Sequence, residues 1–350
     1  MNITPSHHSS YEPPYLSALP EAVRAIHEAS DILLACHVNP DGDTLGCMLA
    51  LALALDTLGK QTTLLSADGV PPTLAFLPGV ERVQTETARR DFDLAIVLDA
   101  GEIKRIGDNR EAAESAPVLM DIDHHVTPGA FGNIRLLDGR AAATGEILYD
   151  LLQALEIGLT PDIAQCLMCA LLTDTGSFRY LNVTPRTMAI ASELLAAGAS
   201  PNQIAEEVFE NRSFAAQKLL GRALQSLNCS EDGRISWAYV TQQDFTDFAA
   251  SDSETEGIIS AVRAVRGSQV ALFLREMSNG KLRVSLRARP PYDVAAVAMR
   301  FGGGGHYLAA GCTLEGPLPA ALESLVAATQ EAMAAQDSNT AERAAKTADA

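Results

Sequence analysis

Four short apolar runs, at residues 31–36, 61–66, 93–98 and 117–122, are separated by stretches with helical apolar spacing, and this alternation constrains the fold most. Runs without a polar face belong to strands covered on both sides, the situation of a largely parallel sheet flanked by helices. The chain therefore reads as α/β. Residues 44–58 are apolar nearly all round and stop at Gly59, as expected of a helix buried against that sheet and closed by a C-terminal glycine. Helical spacing also fits 142–155, 162–172 and 185–197. After Gly198 the texture changes: 201–210 and 213–227 read as connecting helices, and 234–240, 269–275 and 281–287 are β-rich. We expect a first domain over residues 16–197, a linker over 198–214, and a smaller α/β domain over 215–336. Residues 1–15 and 337–350 lack large apolar periodicity and are expected to fray.

Composition narrows the function. The 350 residues suit two domains, and 47% apolar content supplies a core for each. A net charge of −18 argues against a protein that coats long or duplex nucleic acid, so a polyanionic substrate must meet local positive charge. The longest apolar run, 47–55, falls far short of the ~20 residues of a membrane helix. Residues 1–5 show no basic segment leading into an apolar one, which makes the cytoplasm the expected compartment. Six scattered cysteines include one close pair, Cys166 and Cys169, inside an apolar helical pattern; buried free thiols fit better than a zinc site.

Four segments place metal-ligand side chains just past an apolar strand or helix: His37-Val-Asn-Pro-Asp41-Gly-Asp43, Asp99, Asp121-Ile-Asp123-His124-His125, and Asp174. In open parallel sheets that edge is where ligands bind. Singly, each has an ordinary explanation: Asp41 and Asp43 as turn and helix-cap residues, His37 as a core histidine, Asp174 as a helix-end polar group. Jointly they suit divalent cations better, Mn²⁺ first and Mg²⁺ or Co²⁺ next, because imidazole and carboxylate dominate and no thiolate is needed. There are too many carboxylates for one ion. Two ions ~3.5–4 Å apart sharing one carboxylate, for which Asp99 is the natural candidate, would activate water toward phosphorus. His7 and His8 sit in a polar terminal stretch and receive no role.

These four segments resemble the motifs of the DHH phosphoesterases, and Gly302-Gly-Gly-Gly-His306 followed by Ala309-Ala-Gly311 resembles the associated C-terminal domain. The likeness spans residues 20–335, and the compact length is most similar to the nanoRNase/pAp phosphatase subgroup. The resemblance implies that His37, Asp41 and Asp99 hold one manganese ion, and that Asp43, Asp99, His124 and Asp174 hold the other. It further implies that His125 faces the substrate phosphate while Asp123 orients a neighbouring histidine. Cys47 and Ala288 stand where serine is common.

Between residues 259 and 306 the chain carries eight Arg or Lys against two acids, a phosphate-binding face or else a charged strand edge. Arg266 and Arg287 are the candidate phosphate contacts there. Gly303, Gly304 and Gly305 can bring backbone amides to an anion, and His306 can hydrogen-bond a phosphate or base. Closure around residues 198–215 would limit substrate length. The leading expectation is hydrolysis of pApA, pGpG and other short oligonucleotides to mononucleotides, and of pAp to AMP. A homodimer is left open. Three other readings stand beside it: a manganese inorganic pyrophosphatase, a RecJ-type single-strand exonuclease, and a non-catalytic nucleotide sensor.

Overall fold

In the computed structural model, which describes residues 11–125 and 131–348 apart from the side chains of His306 and 339–348, the apolar runs form a six-stranded parallel sheet. Its strands are β1 (Asp31–Cys36), β2 (Gln61–Leu65), β3 (Val83–Gln84), β4 (Leu94–Leu98), β5 (Leu119–Asp123) and β6 (Ile134–Leu137). Successive residues of β1 and β4 feed two cores. Ile32, Leu34, Ile96 and Leu98 pack with α1 (Leu19–Glu28), α2 (Gly42–Thr57), α4 (Thr144–Ala154) and α5 (Pro161–Asp174), while Leu33, Ala35, Ala95 and Val97 pack toward α3 (Arg110–Glu114). Both faces being covered explains why these runs lack a polar register.

The strand order is β3-β2-β1-β4-β5-β6. The chain builds outward from β1 in one direction, returns to β4, and builds outward in the other. The carboxyl ends of β1 and β4 thus lie at a topological switch point, where connecting loops diverge and leave a crevice. Helices α2 and α5 approach closely beside it: a Cβ on Gly46 would lie 2.5 Å from the Cys166 carbonyl oxygen. Helices α6 (Pro185–Ala196) and α7 (Pro201–Ala205) complete this unit.

The chain divides into two compact units between Asn211 and Arg212. The expected linker at 198–214 is therefore partly folded: Ile204 of α7 is fully buried in the first unit's core, one apolar side chain being enough to dock the short helix. The expected frayed ends also differ. Residues 1–10, with His7 and His8, and residues 349–350 lie outside the described residues. Within the described part, Tyr15 is buried and donates to Asp150 at 2.7 Å, and the Tyr11 hydroxyl bonds Asp138 while its ring lies under the Arg140 guanidinium. Helix α12 (Leu318–Ala348) runs through the region expected to fray, because alanine, the commonest residue there, is the best helix former.

The second unit carries α8 (Phe214–Gln225), α9 (Gln242–Phe248), α10 (Ile258–Arg263), α11 (Val294–Met299) and α12. Its sheet comprises β7 (Asn228–Cys229), β8 (Ile235–Val240), β9 (Val270–Glu276), β10 (Leu282–Ala288), β11 (Gly304–His306) and β12 (Ala309–Leu314), in the order β11-β12-β10-β9-β8-β7. Only β8 and β9 pair parallel. No helix among the described residues is long and apolar enough to cross a membrane.

Candidate metal centre

The chain leaves β1 through His37 and turns at Asn39, whose φ is 52°. Asp41 then caps α2: its Oδ1 accepts from the amides of Asp43 and Thr44 at 3.0 and 3.1 Å. Its Oδ2 lies 3.8 Å from His37 Nε2. One carboxylate oxygen thus caps the helix while the other faces the histidine, so the ordinary explanation and the ligand reading are compatible.

Asp99 follows β4 directly, held at φ 58°. Its two oxygens face different histidines: Oδ2 is 3.6 Å from His37 Nε2, and Oδ1 is 3.5 Å from His124 Nε2 and 3.3 Å from His125 Nδ1. Six non-glycine residues among those described have positive φ, and four of them, Asn39, Asp99, Ser177 and Phe178, lie in or within four residues of these motifs. Backbone strain is therefore concentrated at this one place, as at functional sites generally.

Strand β5 delivers Asp123, His124 and His125. His124 Nδ1 donates to the Ala141 carbonyl at 3.2 Å, and His37 Nδ1 donates to the Val38 carbonyl at 2.8 Å. Carbonyls only accept, so both rings direct Nε2 at carboxylates, the orientation of metal-binding histidines. Around His124 Nε2 stand Asp174 at 3.1 Å, Asp99 at 3.5 Å and Asp43 at 3.8 Å.

Asp43, in the first turn of α2, is fully buried. It accepts from the Thr144 and Gly145 amides at 2.7 and 3.1 Å and from the Cys47 thiol at 3.3 Å. Helix α4 starts after Ala141-Ala-Ala143, which supplies no capping side chain, and Asp43 provides the missing acceptor from another element. The Thr144 hydroxyl donates to Asp99 Oδ1 at 3.0 Å. Asn182 Nδ2 ties the Ala142 carbonyl to that of Asp174, at 2.9 and 3.1 Å. Sequence reasoning missed Thr144 and Asn182. A helix opening on three alanines was the available signal, since its first amides must find an acceptor elsewhere.

Three overlapping groups emerge: His37, Asp41 and Asp99; Asp43, His124 and Asp174; and Asp99, His124 and His125. All six side chains expected as ligands are brought together. Asp121 is not; it is buried, one oxygen lacks a partner among the described residues, and burial with Asp123 pushes its carboxyl up to about 7.

The electrostatics fit divalent cations. Burial, with Asp99 and Asp174, pushes the Asp43 carboxyl well above the usual range. Burial also acts against ionised Asp99, but His125, His37 and His124 hold it below that range. Burial opposes charge on His37 and His124, yet the surrounding carboxylates win and raise both. The clustered carboxylates thus favour positive charge at this place, which bound cations would supply. The Cys47 thiol is pushed up by burial and by Asp43, so it acts as a neutral donor rather than a ligand. His125 differs: Asp123 Oδ1 accepts from its Nδ1 at 2.7 Å and its amide at 2.8 Å, and the ring is pushed up to about 10, a cation at neutral pH.

The profile of the DHH family N-terminal domain matches residues 31–171, and that of the DHHA1 domain matches residues 235–335. The bifunctional oligoribonuclease and PAP phosphatase NrnA of Thermus thermophilus is 32% identical over 316 residues, 89% of this chain and 92% of that protein. The chain belongs to the DHH family. This DHH protein is a phosphoesterase with a DHH and a DHHA1 domain. The Bacillus subtilis protein of the same name is 28% identical over 84% of this chain and 92% of its own length. An exopolyphosphatase-related protein from Bacteroides fragilis has the same fold, with a TM-score of 0.85 at 24% identity over 90% of this chain and 96% of that one.

In the DHHA1 unit of this DHH phosphoesterase, Arg275, Arg283, Ser285 and Arg287 line a pocket of about 370 Å³ on one face of β9 and β10. Arg275 is tethered to the Asp252 carbonyl and carboxylate. Arg287, expected from the sequence, lies here; Arg266 is exposed in the turn after α10 and does not line the pocket. Lys281, Arg289 and Arg300 are committed to protein partners, so the basic segment is only partly available to a ligand. The second half of the glycine run is a strand, Gly304 and Gly305 pairing with Gly311 and Ala310 of β12, while Gly302 and Gly303 precede it outside the sheet. A Cβ at Gly303 would meet the Gly311 carbonyl at 2.2 Å and one at Gly305 the Ala310 Cα at 2.5 Å, whereas Gly304 has open space. Packing thus accounts for Gly303 and Gly305, whereas Gly302 and Gly304 retain room for an approaching group. The His306 side chain lies outside the described residues.

Proposed function

We propose that the protein is a Mn²⁺-dependent hydrolase of short oligonucleotides, including pApA, pGpG and nanoRNA, and of pAp. The observation that carries this reading is Asp99, whose two oxygens face His37 on one side and His124 on the other. That is the arrangement of a carboxylate shared between two cations, supported by the names of the relatives above. Two bound cations would polarise a water and the phosphoryl oxygens. His37, Asp41 and Asp99 would hold one, and Asp43, Asp99, His124 and Asp174 the other.

The chain's own residues do the rest. His125, oriented by Asp123, donates to the phosphoryl group and so stabilises its negative charge. Arg287, together with the Gly304 backbone and His306, binds the nucleotide's phosphate or base in the DHHA1 unit; the Gly303 amide is committed to the Ala298 carbonyl at 2.9 Å.

Purified protein given Mn²⁺ and a panel of pAp, pApA, pGpG, longer RNA and pyrophosphate tests the proposal. Short oligonucleotides and pAp are expected to turn over, and Asp99→Ala is expected to lose ~10³-fold or more while staying folded. Faster hydrolysis of pyrophosphate or long RNA, or near-normal activity of Asp99→Ala, overturns it.

A further inference from the structure

We propose that Thr144 is a positioning residue for the candidate metal centre: its hydroxyl fixes the shared carboxylate Asp99 while its amide fixes Asp43. The proposal rests on the cation-binding reading above and goes beyond it, since Thr144 belongs to none of the ligand groups.

The geometry is specific. Thr144 is fully buried at the start of α4. Its Oγ1 lies 3.0 Å from Asp99 Oδ1 and its amide nitrogen 2.7 Å from Asp43 Oδ2. These carboxylates come from β4 and from α2, so one residue locks ligands of two elements. The same segment reaches a third ligand, because the Ala141 carbonyl accepts from His124 Nδ1 at 3.2 Å.

The hydroxyl supplies something the fold does not otherwise need. The first amides of α4 are already satisfied by Asp43, so the Oγ1 donation serves Asp99 alone among the bonds seen here. Asp99 Oδ1 is the oxygen that faces His124 and His125. A donor at that oxygen sets the carboxylate's rotation, and so decides whether its two lone-pair directions point to two separate cations. Without it the carboxylate can turn toward His124 and His125 and lose its shared orientation.

Thr144→Val removes the hydroxyl with little change of shape, and Thr144→Ser keeps it. The assay is calorimetric titration of metal-free protein with Mn²⁺, paired with kcat and KM on pApA at saturating Mn²⁺ and thermal unfolding of the metal-free forms. For Thr144→Val we expect Mn²⁺ affinity to fall ~10-fold, kcat to fall with KM little changed, and Thr144→Ser to recover both. Wild-type Mn²⁺ affinity in Thr144→Val overturns the proposal. So does an equal loss in Thr144→Ser and Thr144→Val that tracks lowered metal-free stability, which would mark a purely structural role. If the wild-type protein binds no Mn²⁺, the cation reading itself fails, a result distinct from either.

Discussion

Asp99 concentrates what this chain does into one side chain. It sits in left-handed backbone at a strand end, faces histidines with both oxygens, and accepts from Thr144. Because His37 and His124 are both raised by their carboxylate neighbours, cations must displace protons from them. Mn²⁺ affinity is therefore expected to strengthen as pH rises above the ordinary histidine value of about 6.5 and to weaken as it falls. Proton release measured by calorimetry in buffers of different ionisation enthalpy checks this, and binding without proton uptake by the buffer would count against it. His125 adds a separate dependence. Its folded value, about 10, lies above the ordinary 6.5, so its stabilising effect in the metal-free protein is full below ~6.5 and is lost as pH rises through about 10.

At the scale of elements, the strands that build the switch point were legible because each is an unbroken apolar run, and the ligands were legible because they follow those runs directly. Five of the described strands were not, Asn228–Cys229 and Ala309–Leu314 among them. Val83–Gln84 is too short to carry a pattern, Ile134–Leu137 has an exposed arginine in its middle, and Gly304–His306 is a strand written mostly in glycine. The start of α4 escaped for a different reason: its cap is Asp43, a hundred residues away in the chain, and local sequence holds no trace of a distant acceptor. The α2–α5 contact has the same non-local character. Gly46→Ala would push a methyl into the Cys166 carbonyl and part the helices that carry Asp43 and Asp174. We expect a stability loss of ~1–3 kcal/mol and weaker Mn²⁺ binding, read by urea unfolding and metal titration. Unchanged values for both would show that the contact relaxes freely.

For the whole molecule, the two units have separate cores, a pair of clusters on the two faces of the parallel sheet and another pair around the mixed sheet. The candidate metal residues all fall in the first unit. Added Mn²⁺ is expected to raise the unfolding temperature of that unit selectively, by an amount equivalent to ~2.7 kcal/mol at a hundred times the dissociation constant. Differential scanning calorimetry with Mn²⁺ and then with a chelator tests this, and an equal shift in every transition would contradict it. The boundary between units was less legible than the site, because the segment before Asn211 looks like a connector yet lodges Ile204 in the first core. One further contact links the leading segment of the chain to its chemistry. Tyr11 grips Asp138, the Asp138 amide bonds the Asp123 carbonyl, and three residues later Ala141 holds His124. Losing the Tyr11 hydroxyl therefore releases a tether whose far end is the candidate metal centre.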